Sequence, residues 1–168
     1  YVHWDGNSVE YWNIKGTCVD PFNIFPDPLA TNVDDAEYII YATYKNANKL
    51  KKQFPKKASQ IHGEKVKYTE LVGEREPDGH EDNQVLVLEV YSRDHITVCD
   101  EKGTLKYPKG RITTVAPELS LILDDKENPY EDKKFPFVHG KDYDVPNQFW
   151  GEGEVAQLIS PQTQMNEL

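Results

Sequence analysis

The chain has 168 residues, long enough for one domain or two small lobes, and its 38% hydrophobic and 29% charged content lies in the globular range. Ten tyrosines, six phenylalanines and three tryptophans provide more aromatic area than a disordered acidic chain carries, and no run of about twenty apolar residues is present to cross a bilayer. The formal charge is −10, yet between Lys45 and Lys67 eight lysines stand against one acid, Glu64, a local +7 that leaves −17 for the rest.

Taken in chain order, the first predicted elements are strands. Val9 to Ile14 and Gly16 to Val19 are short β-prone runs, and the Asp5-Gly6-Asn7 turn before them predicts a hairpin or meander. Asp20 to Pro28 contains three prolines, which oppose a helix and predict an extended path. Glu37 to Tyr44 reads as a buried strand. From Asn46 to Ile61, Ala47, Leu50 and Phe54 share one face at helical spacing, so this basic segment is predicted to be helical, with Pro55 as its break.

Acids, Gly and Pro crowd Tyr68 to Asn83, which predicts a mobile loop. A run of strands follows: Gln84 to Ser92, His95 to Cys99, Thr104 to Tyr107, Ile112 to Ala116 and Leu119 to Leu123, separated by turn residues such as Arg93-Asp94 and Pro108-Lys109-Gly110. Their spacing predicts an antiparallel meander. Asp124 to His139 reads as irregular. A helix is expected from about Glu152, with Val155, Leu158 and Ile159 on one face; Pro161 either kinks it or opens a second helix capped by Ser160.

The expected architecture is therefore α+β: an antiparallel β meander, a short lysine-rich helix and a C-terminal helix. Its segments are 1–45 (hairpin and extended chain), 46–67 (basic helix), 68–83 (loop), 84–150 (meander) and 151–168 (start of the terminal helix). Tyr1 is not an initiator methionine and Leu168 falls inside helical pattern, so a piece of a longer chain is expected.

The sequence has no GxSxG elbow, no glycine-rich phosphate loop with its lysine, no HExxH and no EF-hand spacing. Cys18 and Cys99 are far apart and belong to no Cys/His ligand set. The pairs Asp34/Asp35, Asp124/Asp125 and Asp142/Asp144 are read as solvated or capping acids, and the five histidines share no ligand spacing. No enzyme, cofactor or metal site is expected. Clustered lysines attract phosphate or acidic protein without reading sequence, so Lys49, Lys51, Lys52, Lys56 and Lys57 are the candidate contacts for an acidic partner or DNA, the alternative being a solvated helix face. Phe149 and Trp150, beside a helix start, are candidates for an anchor of the fold or of a neighbouring subunit.

The last forty residues carry the most distinctive string: Asn128-Pro129-Tyr130, Phe135-Pro136-Phe137-Val138, Asp142 to Pro146, then Phe149-Trp150-Gly151-Glu152-Gly153-Glu154-Val155 with Gln157-Leu158-Ile159 and Pro161-Gln162. Aromatic anchors, glycines for a tight turn and acids at the positive end of a helix dipole describe an extended segment entering a helix. This string resembles the portal proteins of tailed bacteriophages, where such a segment leads from β structure into a stem helix. Val19 to Pro28 with Asp34-Asp35-Ala36-Glu37-Tyr38, and Val87 to Ser92, look like the same family's upstream motifs, so the resemblance runs from Val19 to about Asn166.

The resemblance implies the clip region and its flanks of a ring-forming subunit, usually dodecameric, at one vertex of the virion capsid, assembled in the host cytoplasm. Double-stranded DNA would pass through the ring without sequence recognition. Terminase and head–tail adaptor proteins would dock on it, and ATP hydrolysis would belong to the terminase. Two other classes fit the composition: another β-rich virion protein of the tail or head-completion type, and a carbohydrate-binding or hydrolase β-domain.

Overall fold

The structure, a computed structural model, describes residues 2–3, 15–63, 83–94 and 104–167. It is α+β: five antiparallel strands in one sheet, with a few helices. The chain divides into two compact units, one comprising 1–17, 26–36 and 135–168, the other 18–25 and 37–134. Residues 135–150 thus group with the terminal helix, whereas the sequence reading attached them to the meander.

The larger unit is the sheet. β3 (Ile24–Pro26), β4 (Tyr38–Asn46), β5 (Gln84–Ser92), β6 (Arg111–Ala116) and β7 (Leu121–Glu127) lie side by side in chain order. β4 and β5 pair along their whole lengths, from Tyr38 opposite Ser92 to Asn46 opposite Gln84. Both are rich in β-branched and aromatic residues, and side chains alternate between the two faces. A separate two-stranded pair, β1 (Val2–His3) and β2 (Lys15–Gly16), sits near the amino end.

One face of the sheet is closed by the chain that links β4 to β5. Asn46 ends β4 in extended conformation, and its side chain accepts from the backbone N–H of Asn48 at 3.0 Å, capping α1 (Ala47–Gln53). Ala47 and Leu50 then fall on the buried side of α1. The Phe54 N–H donates to the Leu50 carbonyl, and Pro55 opens a 3-10 turn over Pro55–Gln60. Ala47, Leu50 and Ile61 meet Val85 and Val87 of β5, Ala116 of β6 and Leu123 of β7, with Phe54, Leu119 and Leu121 packed around them. The predicted basic helix is therefore present, shorter than its pattern, and its apolar face seals the core. Thr43, opposite Val87 on this face, has a buried hydroxyl oxygen with no hydrogen-bond partner among the described residues.

Several strand boundaries differ from expectation for visible reasons. Pro117 starts a 3-10 turn at Pro117–Leu119, and Ser120 takes a left-handed conformation (φ 50°). β7 consequently begins two residues later than predicted and runs through Asp124–Glu127, which had read as irregular. A charged run is tolerated there because β7 is an edge strand, where charge also discourages pairing with a further chain. Asp125 is held by its neighbours on the sheet face opposite Val85 and Val87: Arg111 Nε donates to it at 2.7 Å, the Tyr107 hydroxyl at 2.8 Å and the Thr113 hydroxyl at 3.3 Å. Pro21–Asn23, expected to be extended, forms a 3-10 turn with proline at its first position and the Asp20 carboxylate capping the Phe22 N–H at 3.0 Å. Thr104–Tyr107 holds only a bridge residue, Leu105, and β2 stops at Gly16 instead of running to Val19. The predicted strands Val9 to Ile14 and His95 to Cys99 lie outside the described residues, as does the predicted loop up to Asp82.

α2 (Glu154–Asn166) is one continuous helix with Pro161 inside it, neither interrupted nor restarted at Ser160. The carbonyl of Gln157, which loses its donor to the proline ring, stands on an exposed residue.

Leu50→Ala should lower the unfolding free energy in urea by about 3 kcal/mol, since it opens a cavity under α1. Thr43→Val should raise it, by up to about 1 kcal/mol, by removing an unsatisfied hydroxyl. The Asp125 carboxyl is lowered to about 2, chiefly by the Arg111 guanidinium hydrogen bond. Because the folded value lies below the unfolded one, its contribution is fully present above about pH 4 and fades as pH falls toward 2; it amounts to about 2 kcal/mol at most. Wild type should therefore exceed Asp125→Asn by about that much at neutral pH, and the gap should close in acid, as read by unfolding curves across pH.

Candidate functional site

The lysine-rich element presents a cationic surface because its apolar residues are used inward. With Ala47, Leu50 and Ile61 buried, Lys49, Lys52 and Lys56 are left exposed, along with Asn48, Gln53, Ser59, Gln60 and His62. Lys49 and Lys52, three apart, are neighbours on the α1 surface; Lys56 follows after the Phe54-Pro55 break. Lys51 and Lys52 also lie in the last turn, where the negative end of the helix dipole favours cations. No acid occurs between Asn46 and Gly63.

The five candidate lysines do not behave alike. Lys57 is half-buried and its ammonium donates to two backbone carbonyls of β7, those of Ile122 and, at 3.2 Å, Leu123. It ties the 3-10 turn to the sheet edge. Lys51 is half-buried as well. The open cationic face is Lys49, Lys52 and Lys56, and among the described residues no carboxylate pairs with any of the three.

A second candidate is the turn that delivers the chain into α2, in the smaller unit. Tyr143 and Glu152 exchange two backbone hydrogen bonds of 3.0 Å, folding 143–152 back on itself. Asn147 supplies the left-handed residue of the reversal at φ 60°. Gly151 is required by space: a Cβ there would stand 2.5 Å from the Tyr143 carbonyl oxygen and 3.0 Å from Lys141 Cβ. Gly153 was expected to serve the same purpose, yet its surroundings are open and its backbone is extended, so its place at the helix cap needs no glycine. Lys141 fills the inside of the turn. Its three protons reach Asp144 at 2.8 Å, the Gln148 carbonyl at 3.1 Å and the Thr31 carbonyl at 3.1 Å.

Phe149, 8% exposed, and Trp150, 37% exposed, take different roles. The His139 ring stacks on Phe149 with centroids 4.7 Å apart, and Trp150 meets both rings edge-on at 5.1 and 4.9 Å. Phe149 anchors the turn internally, while Trp150 keeps part of its ring open. His139 had read as a surface or strand residue. Burial, and after it the nearby Lys141, push its imidazole below the usual value, with Asp144 opposing, and its buried Nδ1 has no partner among the described residues. No motif in the sequence marks His139, whose ring partners lie ten and eleven positions on, or Lys141, whose acceptors stand 3, 7 and 110 positions away.

The acids of this segment divide as well. Asp144 is taken by Lys141, and Asp142 accepts from the Glu154 N–H at 3.1 Å, capping α2 from twelve residues upstream. α2 itself is exposed throughout, including Val155, Leu158, Ile159 and Met165. Among the described residues, nothing buries these apolar side chains.

Among the described residues no group of three or more His, Cys, Asp or Glu side chains is placed to hold a metal ion, and no helix is long and apolar enough to cross a membrane. No protein-family model matches the chain, and no curated protein matches it.

The steric account of the turn separates its two glycines. Gly151→Ala should destabilise the protein by about 2 kcal/mol, because backbone and a packed lysine must move, whereas Gly153→Ala, at an uncrowded N-cap where alanine is merely disfavoured, should cost less, about 0.5–1 kcal/mol. Phe149→Ala should cost about 3 kcal/mol and Trp150→Ala clearly less, as measured by chemical denaturation.

Proposed function

We propose that the chain is part of the ring-forming portal subunit of a tailed bacteriophage, a structural element of the DNA conduit with no catalytic role of its own. The observation that carries this reading is the entry into α2. A sterically specified turn, closed by the Tyr143–Glu152 bridge and filled by Lys141, Phe149 and His139, launches a helix whose apolar residues are exposed among the described residues. Isolated helices of this length are marginal in water, so such a helix is suited to packing against neighbouring subunits.

The residues that carry the resemblance also hold structurally demanding positions. Asp20 caps the Pro21–Asn23 turn, Asp27 accepts from the Leu29 N–H, and Gly151 sits where a side chain would clash. Asn128, buried, accepts from the Tyr130 N–H through its side-chain oxygen and donates from its amide to the Lys134 carbonyl. Val87 to Ser92 lies within the central strand β5. This coincidence supports the motifs as a fold signature and not as chance composition. On this reading DNA passes through the ring without base recognition, while terminase and head–tail adaptor proteins bind the outer surfaces and the terminase supplies ATP hydrolysis.

Electron microscopy of the polypeptide that carries this chain tests the proposal. A closed, dodecameric ring with a central hole is expected; a monodisperse monomer, or turnover of a glycan or ester substrate, would overturn it.

A further inference from the structure

We infer that the exposed lysine face of Lys49, Lys52 and Lys56 docks on the acidic smaller unit of a second copy of this chain. The inference deepens the ring reading above and rests on it for the expectation that copies meet. Its own basis is charge. The smaller unit, 1–17, 26–36 and 135–168, carries ten acids against two lysines, a net −8; the larger unit carries nineteen acids against seventeen lysines and arginines, and so only −2 of the chain's −10.

Within the smaller unit three carboxylates that pair with no lysine or arginine among the described residues lie near the base of α2. The Tyr143–Glu152 bridge brings Glu152 beside the Asp142 segment, and the hydrogen bond from the Glu154 N–H to the Asp142 carboxylate brings in Glu154. All three residues are exposed, and among the described residues none pairs with a lysine or arginine, in contrast to Asp144. Three open lysines on one unit are thus matched on the other by the open carboxylates of Glu152 and Glu154, beside Asp142, which caps α2.

A polyphosphate is the poorer occupant. The segment 46–63 has no arginine to fork onto phosphate and no exposed aromatic to stack a base, since Phe54 packs on the core. Because the lysine face and the acidic face are different surfaces, their contact is head to tail. Each added copy leaves one face of each kind free, which is the geometry that closes into rings or runs into filaments.

Sedimentation velocity of three proteins tests this: the wild type, the triple variant Lys49→Glu/Lys52→Glu/Lys56→Glu, and the double variant Glu152→Lys/Glu154→Lys. Circular dichroism melting serves as the control for folding. The wild type should associate at about 50 mM salt and weaken at least about tenfold at about 500 mM, where exposed pairs are screened. Each variant alone should stay monomeric, and an equimolar mixture of the two should associate again, since each then supplies the face that the other lacks. A wild type monomeric at both salts, a lysine variant that still associates, or a mixture that stays apart overturns the inference. So does lysine-dependent binding of a 30-base-pair duplex without self-association, which would assign the face to nucleic acid. Rings of the parent polypeptide that form equally well with the triple lysine variant would end this inference and leave the ring reading standing.

Discussion

The packing of Leu50 and Ile61 against Val85 and Val87 is the contact on which the larger unit depends. A meander with one apolar face uncovered would expose a broad hydrophobic surface, and the connection between β4 and β5 removes it by folding back as α1 and a 3-10 turn. The same event determines the surface chemistry. Once Ala47, Leu50 and Ile61 point inward, helical geometry leaves Lys49 and Lys52 facing outward, and Lys57 is close enough to β7 to donate to its carbonyls. Core and cationic face are two sides of one short element.

In the smaller unit the turn before α2 is closed chiefly by polar contacts. One ammonium, Lys141, satisfies three acceptors; one bridge, Tyr143 to Glu152, folds the segment; one ring stack, His139 on Phe149, fills its interior. Among the described residues the turn is pinned by these contacts, whereas α2, which follows it, is exposed along its length.

Much of this was legible beforehand. β5 is legible with its observed ends, since Gln84 to Ser92 is a long apolar β-branched run bounded by turn residues, and the helix after Asn46 is marked by the spacing of Ala47, Leu50 and Phe54, whereas its Asn46 cap is seen only in the structure. The extent of β7 was hidden because Asp124–Glu127 looks like a loop until Arg111, Tyr107 and Thr113 surround Asp125. Of the candidate lysines, the sequence grouped five; only the fold separates the tether Lys57 and the half-buried Lys51 from the three that are open. Phe149 and Trp150 were singled out as a pair, and burial distinguishes anchor from exposed edge.

The sequence by itself determined the class of the fold, the position of the meander, the basic segment within an acidic chain and the aromatic-glycine entry to the last helix. These follow from patterns within a few residues, where side-chain period, proline and capping chemistry act directly on the backbone. Tertiary structure alone decided which lysines are free, that Gly151 and not Gly153 is sterically required, that Asp142 caps a helix twelve residues away and that His139 is stacked. Those outcomes depend on distances between segments remote in the chain, and such distances exist only once the backbone has closed on itself.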